Sequence, residues 1–176
     1  MKKFLRYIPF LIILCTTILL FVRVNQDGNK AGNSLLGDSL MVGKNITDME
    51  LDTIYPDKGK INQDTCKGNF TIVNMFASWC VACVVEHKLF SGIKGGKLKV
   101  VGIAWRDNEE DTKGWLKKYG NPFDIVGSDI QGRYGISMGI TGIPESFLVS
   151  PDGVILTHVR GPVTEGDILR MKEMAK

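Results

Sequence analysis

Residues 70–77, FTIVNMFA, are apolar, aromatic or β-branched along nearly their whole length, the pattern of a strand buried on both faces. Two cysteines, Cys80 and Cys83, follow in ASWCVACVVEH, where the stretch from Cys80 to about Ser91 fits a helix ended by Gly92. A strand buried on both faces belongs inside a sheet covered by helices, so this junction restricts the chain to layered α/β architectures. It also sets the first cysteine at the mouth of a helix.

The rest of the chain continues the alternation. KLKVVGIAW at 97–105 predicts a second buried strand. DNEEDTKGWLKKYG at 107–120 has acids at its start, lysines near its end and a closing glycine, which is the polarity of a helix. ESFLVSPDGVILTHV at 145–159 predicts a hairpin turning at Ser150-Pro151-Asp152-Gly153, and TEGDILRMKEMAK at 164–176 a terminal helix capped by Thr164. Strand, helix, strand, helix, hairpin and helix together imply a mixed central sheet flanked by helices, with right-handed crossovers joining its parallel strands.

The N-terminus has a different character. Tyr7 to Val22 carries no charge, and the apolar stretch from Phe4 to Val24 would make a helix about 31 Å long, enough for the hydrocarbon core with Arg6 and Arg23 snorkelling at its ends. No small-residue cleavage pattern follows, the first downstream alanine being Ala31, and Leu14 is too large to precede a lipidated Cys15. We therefore expect one N-terminal transmembrane helix over residues 1–24, a Gly/Asn/Ser-rich tether over 25–41 and a folded domain over 42–176. Lys2, Lys3 and Arg6 precede the span, so the folded domain is expected outside, in the periplasm of a bacterium, where disulfides persist. The net charge of +3 comes from this segment: past residue 23 the chain has 18 cations against 19 acids and no basic run, which argues against a nucleic-acid partner.

Several chemistries use two cysteines at this spacing. Zinc would find Cys80, Cys83 and His87, but a closed structural site wants four ligands, usually from a second C-x-x-C; Cys66 is the one free candidate, and His158 stands alone in a strand. Covalent haem attachment needs a histidine directly after the second cysteine, where Val84 stands. A permanent structural bridge across two residues gains little from closure entropy. Redox exchange has a mechanism: unpaired N–H groups and the dipole at a helix N-terminus favour the Cys80 thiolate, and Cys83, one turn on, can resolve a mixed disulfide. Trp79 would shield that site. Ile143-Pro144 immediately precedes the hairpin, as a candidate cis bond or an ordinary trans one. Cys66 is expected to pack as a small hydrophobe and Trp105 and Trp115 to fill core positions, while His87, one helical turn beyond Cys83, could touch the site but is expected at the surface.

W-C-x-x-C after a strand, with G-x-P before a later strand, resembles the thioredoxin fold from about residue 42 to 176. Within it the chain resembles the DsbE/CcmG family, membrane-anchored periplasmic thiol–disulfide proteins of cytochrome c maturation. The matching pieces are NMFASWC with Asn74, Glu86-His87, WLKKYGNPF at 115–123 and GITGIPESFLVSPDG at 139–153. The resemblance implies that Cys80 is the nucleophile and Cys83 the resolving thiol, and that Pro144 is cis and pairs with substrate backbone beside the disulfide. It also implies that Glu86 and Glu145 are acids near the active site, where the residues alone allow two solvated surface carboxylates. Glu145 stands where related anchored reductases carry a small hydroxyl residue, and so points to the cytochrome subfamily. Val81 and Ala82 depart from the proline and threonine common between the cysteines, which alters the helix start and the reduction potential.

The implied activity is reduction of the haem-binding cysteines of apocytochrome c, directly or through a maturation protein, with a DsbD-like membrane protein as reductant and without a cofactor or metal. A general periplasmic oxidant or isomerase, and a non-catalytic module that holds apocytochrome, are the alternatives.

Overall fold

The run that the sequence marks as buried on both faces becomes the central strand of a five-stranded sheet, all six of its residues, Thr71–Phe76, being buried. The computed structural model describes residues 12–19, 39–48, 50–93 and 98–176. Two compact units divide the chain, Met1–Asp38 and Ser39–Lys176. In the first, residues 12–19 form a helix, α1. Among the described residues no helix is long and apolar enough to cross a membrane. The span expected over 1–24 and the tether over 25–41 lie largely outside the described residues.

The second unit begins with a short antiparallel pair, β1 (Leu51–Asp52) and β2 (Lys60–Ile61). Then come β3 (Thr71–Phe76), α2 (Val81–Ser91), β4 (Lys99–Trp105), α3 (Glu109–Tyr119), β5 (Ile125–Asp129), α4 (Arg133–Ser137), β6 (Glu145–Val149), β7 (Ile155–Arg160) and α5 (Glu165–Met174). The sheet order is β5-β4-β3-β6-β7, with β3, β4 and β5 parallel and β6 and β7 antiparallel to their neighbours. This is the mixed sheet flanked by helices of a thioredoxin-like fold, as the sequence predicts. Local signals hold as well: Gly153 N–H donates to Ser150 O at 2.9 Å to close the hairpin turn, and Thr164 caps α5 in a reciprocal capping box with Asp167.

Four of these elements have no counterpart in the sequence reading, namely β1, β2, β5 and α4. The edge strand β5, Ile125–Asp129, reads IVGSD, and its glycine and aspartate hide it from any pattern of apolar residues. Gly127 has a packing reason: a Cβ there would stand 2.8 Å from Ile61 Cδ1 of β2. The main core takes Val73, Met75, Val101, Ile103, Phe147, Val149 and Ile155 from strands β3, β4, β6 and β7, and is completed by Ile46, Ile61, Cys66, Tyr134 and Met138 from outside them. Trp115 is buried against Phe76, at 5.5 Å between ring centroids, whereas Trp105 is half-buried.

Strand register carries the site. Asn74 pairs with Gly102 on one side and with Ser146 on the other, and Met75 pairs with Glu145. The cysteine turn that leaves β3 and the Pro144 turn that enters β6 are therefore brought to the same end of the sheet.

Candidate functional site

Cys80 is the N-cap residue of α2, in extended conformation, and its Sγ accepts the Cys83 backbone N–H at 3.1 Å. The two cysteines form a disulfide with their Cα atoms 5.4 Å apart. A backbone N–H and the positive end of a helix directed at a sulfur favour its thiolate once the bridge is opened. Both residues are nearly covered, Cys80 to 5% exposure and Cys83 to 2%, and Cys80 lines the surface groove between α2 and α3 that Cys83 does not reach. Trp79, Val81 and Val85 are exposed around it.

The turn before Cys80 is held by the segment that leaves β4. Ser78 N–H and Oγ–H donate to the two Asp107 carboxylate oxygens at 2.6 and 2.9 Å, and Thr112 Oγ donates to the same carboxylate at 2.8 Å. Trp79 Nε1–H donates to Arg106 O at 3.2 Å. Asp107 is thus a positioning residue for the cysteine turn. From sequence it looks only like one more acid near a helix start.

Glu86 and Glu145 are not solvated surface acids: their exposures are 1% and 2%. Glu86 Oε1 accepts from Asn74 Nδ2 at 2.8 Å and Oε2 from Val163 N–H at 2.9 Å, while Asn74 Nδ2 also donates to Ser146 Oγ at 3.0 Å. These bonds stitch α2 to β3, to β6 and to the start of the segment leading into α5. Burial pushes the Glu86 carboxyl from 4.5 up to about 7, against the opposing effect of the two hydrogen bonds. Between those values the folded protein holds a proton that the unfolded chain releases. Stability contributed by the protonated acid is therefore complete below pH 4.5 and falls by roughly 3 kcal/mol as pH rises to about 7. Urea unfolding from pH 4.5 to 8 should show this fall in the native protein and a flatter profile in Glu86→Gln. Superimposable profiles would show that Glu86 does not titrate there.

Glu145 behaves oppositely. Burial acts to raise its pKa, but the hydrogen bonds from His158 and Thr141 outweigh it and hold the carboxyl below its ordinary value. Oε1 accepts from Thr141 N–H, Thr141 Oγ–H and Gly142 N–H at 2.8, 2.7 and 3.1 Å, and Oε2 meets His158 Nε2 at 2.6 Å. The Ile143–Pro144 bond is cis. Thr141 and His158 escape sequence reasoning because each gains its role only through this contact.

His87 corrects another expectation. It is buried on α2, packed edge-on against Trp115 at 4.4 Å, with Nε2 at 2.7 Å from Gly120 O. Burial lowers its pKa, and the contacts with Trp115 of α3 and with Gly120 just after it tie α2 to α3. Cys66 is fully buried and its thiol is pushed up to about 11, as befits a cysteine packed as a small hydrophobe. Cys15, on α1, is exposed.

Residues 41–174 match the Redoxin family model. The chain is 33% identical to the thiol:disulfide interchange protein HelX of Rhodobacter capsulatus over 132 residues, covering 75% of this chain and 74% of the relative. It is 30% identical to the thiol:disulfide interchange protein DsbE of Haemophilus influenzae, across 94% and 90% of the two chains. In fold it is similar to a thiol–disulfide oxidoreductase from Bacteroides fragilis, with a TM-score of 0.62, 24% identity and coverage of 74% and 99%. With a C-x-x-C disulfide at the mouth of α2 and relatives of this kind along most of its length, the chain belongs to the redoxin family and is a thiol:disulfide interchange protein of the DsbE/HelX type.

Proposed function

We propose that this protein is a membrane-anchored periplasmic reductase of cytochrome c biogenesis, acting on the haem-binding cysteines of apocytochrome c directly or through a maturation protein. The observation that carries the chemistry is Cys80 Sγ at the N-cap of α2, accepting the Cys83 N–H beside an exposed apolar face. Cys80 thiolate attacks one sulfur of the substrate disulfide, forming a mixed disulfide and releasing the other substrate sulfur as a thiolate. Cys83, deprotonated, then attacks Cys80 Sγ and expels the second substrate thiolate. Two electrons pass to the substrate and the domain is left with its Cys80–Cys83 disulfide. A membrane dithiol protein of DsbD type restores the reduced pair.

The direction of electron flow and the choice of substrate rest on the resemblance of GITGIPESF, with Glu145 after Pro144, and on relatives named DsbE and HelX. Anchoring and compartment rest on the apolar stretch from Phe4 to Val24 and on Lys2, Lys3 and Arg6 before it. The reading is tested in cells by thiol trapping together with haem attachment. Cys80 and Cys83 are expected to be reduced while the membrane reductant is present and oxidised without it. Haem attachment should fail in the Cys80→Ser/Cys83→Ser double variant. Retained attachment in that variant would replace the reductase by a holding module.

A further inference from the structure

His158 sits in β7 with no exposed surface, stacked on Phe147 at 4.0 Å between centroids. A buried imidazole requires partners for both ring nitrogens, and this one has them. Nε2 lies 2.6 Å from Glu145 Oε2 and Nδ1 lies 2.6 Å from Ser39 Oγ. Ser39 Oγ in turn accepts the Met41 backbone N–H at 3.2 Å. A carboxylate can only accept, so Nε2 carries the hydrogen that goes to Glu145. In the neutral ring Nδ1 is then the acceptor, and the Ser39 hydroxyl donates to it.

The far side of Glu145 faces the substrate turn. With Oε2 held by His158, Oε1 is turned towards Thr141 and Gly142 and takes three donors from them. Those residues directly precede Ile143 and Pro144. A chain of hydrogen bonds therefore runs from Ser39, the first residue of the redox unit, through His158 and Glu145 to the turn at the active-site end of the sheet. A turn with two backbone N–H groups tied to one buried oxygen is pre-organised, and a pre-organised surface binds an extended chain with a smaller loss of entropy.

We propose that His158 is a positioning residue for thiol–disulfide exchange: its Nε2–H orients Glu145, which fixes the Thr141–Pro144 turn on which polypeptide substrates dock. Small disulfides need no docking surface and should be indifferent to it. The proposal rests on the reading that this turn meets the substrate backbone, and it holds whichever polypeptide the natural substrate is.

Two replacements separate the two ends of the ring. His158→Gln places an amide N–H where Nε2 stands and keeps the bond to Glu145. His158→Asn places its amide near Nδ1, keeps the Ser39 side and leaves Glu145 Oε2 without its donor. The full-length reduced protein is reacted in single turnover with an excess of an oxidised peptide containing C-x-x-C-H, of oxidised insulin or of the small disulfide dithiobis(nitrobenzoate), KM and kcat being the half-saturating concentration and limiting rate of that one exchange. His158→Asn should raise KM for the polypeptide disulfides about tenfold, equivalent to about 1.4 kcal/mol, with kcat and the rate for the small disulfide within about twofold of native. His158→Gln should restore KM to within about threefold. Equal losses towards small and polypeptide disulfides, no loss with either variant, or no rescue by glutamine would each overturn the proposal. Native protein that reduces insulin but not the haem-motif peptide would defeat the cytochrome assignment and leave the His158 comparison intact on insulin.

Discussion

A Cys83→Ser chain is expected to accumulate a covalent adduct with its polypeptide substrate, while Cys80→Ser forms none. In the proposed mechanism, attack by Cys80 leaves a mixed disulfide whose fast resolution needs a second thiol one helical turn away, the position that Cys83 holds in α2. Without it the intermediate waits for slow external thiols. Without Cys80 the remaining thiol is that of Cys83, which is 2% exposed and does not reach the α2–α3 groove. Loss of the nucleophile should lower exchange on the order of 10³-fold or more. Non-reducing electrophoresis and mass spectrometry of purified variants read both results, and the adduct should vanish on reduction. Equal trapping by both single variants would defeat the division of roles. Adducts made only with proteins unrelated to cytochrome maturation would leave the exchange chemistry standing and remove its assigned substrate.

Glu145→Ala should lower the free energy of unfolding by about 3–5 kcal/mol, from roughly 1–3 kcal/mol for each buried donor left without its acceptor. The removed carboxylate strands several donors at once: Thr141 N–H and Gly142 N–H lose their acceptor, and the fully buried His158 loses its partner at Nε2. Glu145→Gln is expected to lose only about 1 kcal/mol. Its carbonyl can take over from Oε1, and its amide can face His158 Nε2 once the imidazole hydrogen moves to Nδ1 and is donated to Ser39 Oγ. Urea unfolding of the two variants beside the native chain provides the comparison. An alanine variant as stable as the glutamine variant would show that water reaches the stranded groups and that the carboxylate is not a structural centre.

How much of this was legible beforehand differs by kind of residue. The seam at Cys80 was legible because it is local. Continuous apolar character marks β3, the loss of that pattern marks its end, and the cysteine spacing sits within one helical turn. The β6–β7 turn and the Thr164 cap were legible for the same reason, each being set by three or four adjacent residues. Glu86 and Glu145 were found only through resemblance, which flagged the positions without giving their environment. His87 was misplaced to the surface, because polar type outweighed position on a helix face that packs on Trp115.

What the sequence determined by itself is therefore the order of the main elements, the place of the cysteine pair at a helix mouth and the chemistry open to it. The tertiary structure alone decided which polar groups lie inside and what they hold. Val163 meets Glu86 from 77 residues away, and Ser39 meets His158 from 119. Periodicity reports which way a side chain faces within its own element, and says nothing about the partner that arrives from another. A polar group stays buried only if such a partner satisfies it, and only the assembled sheet brings β3, β6 and β7 together to supply one.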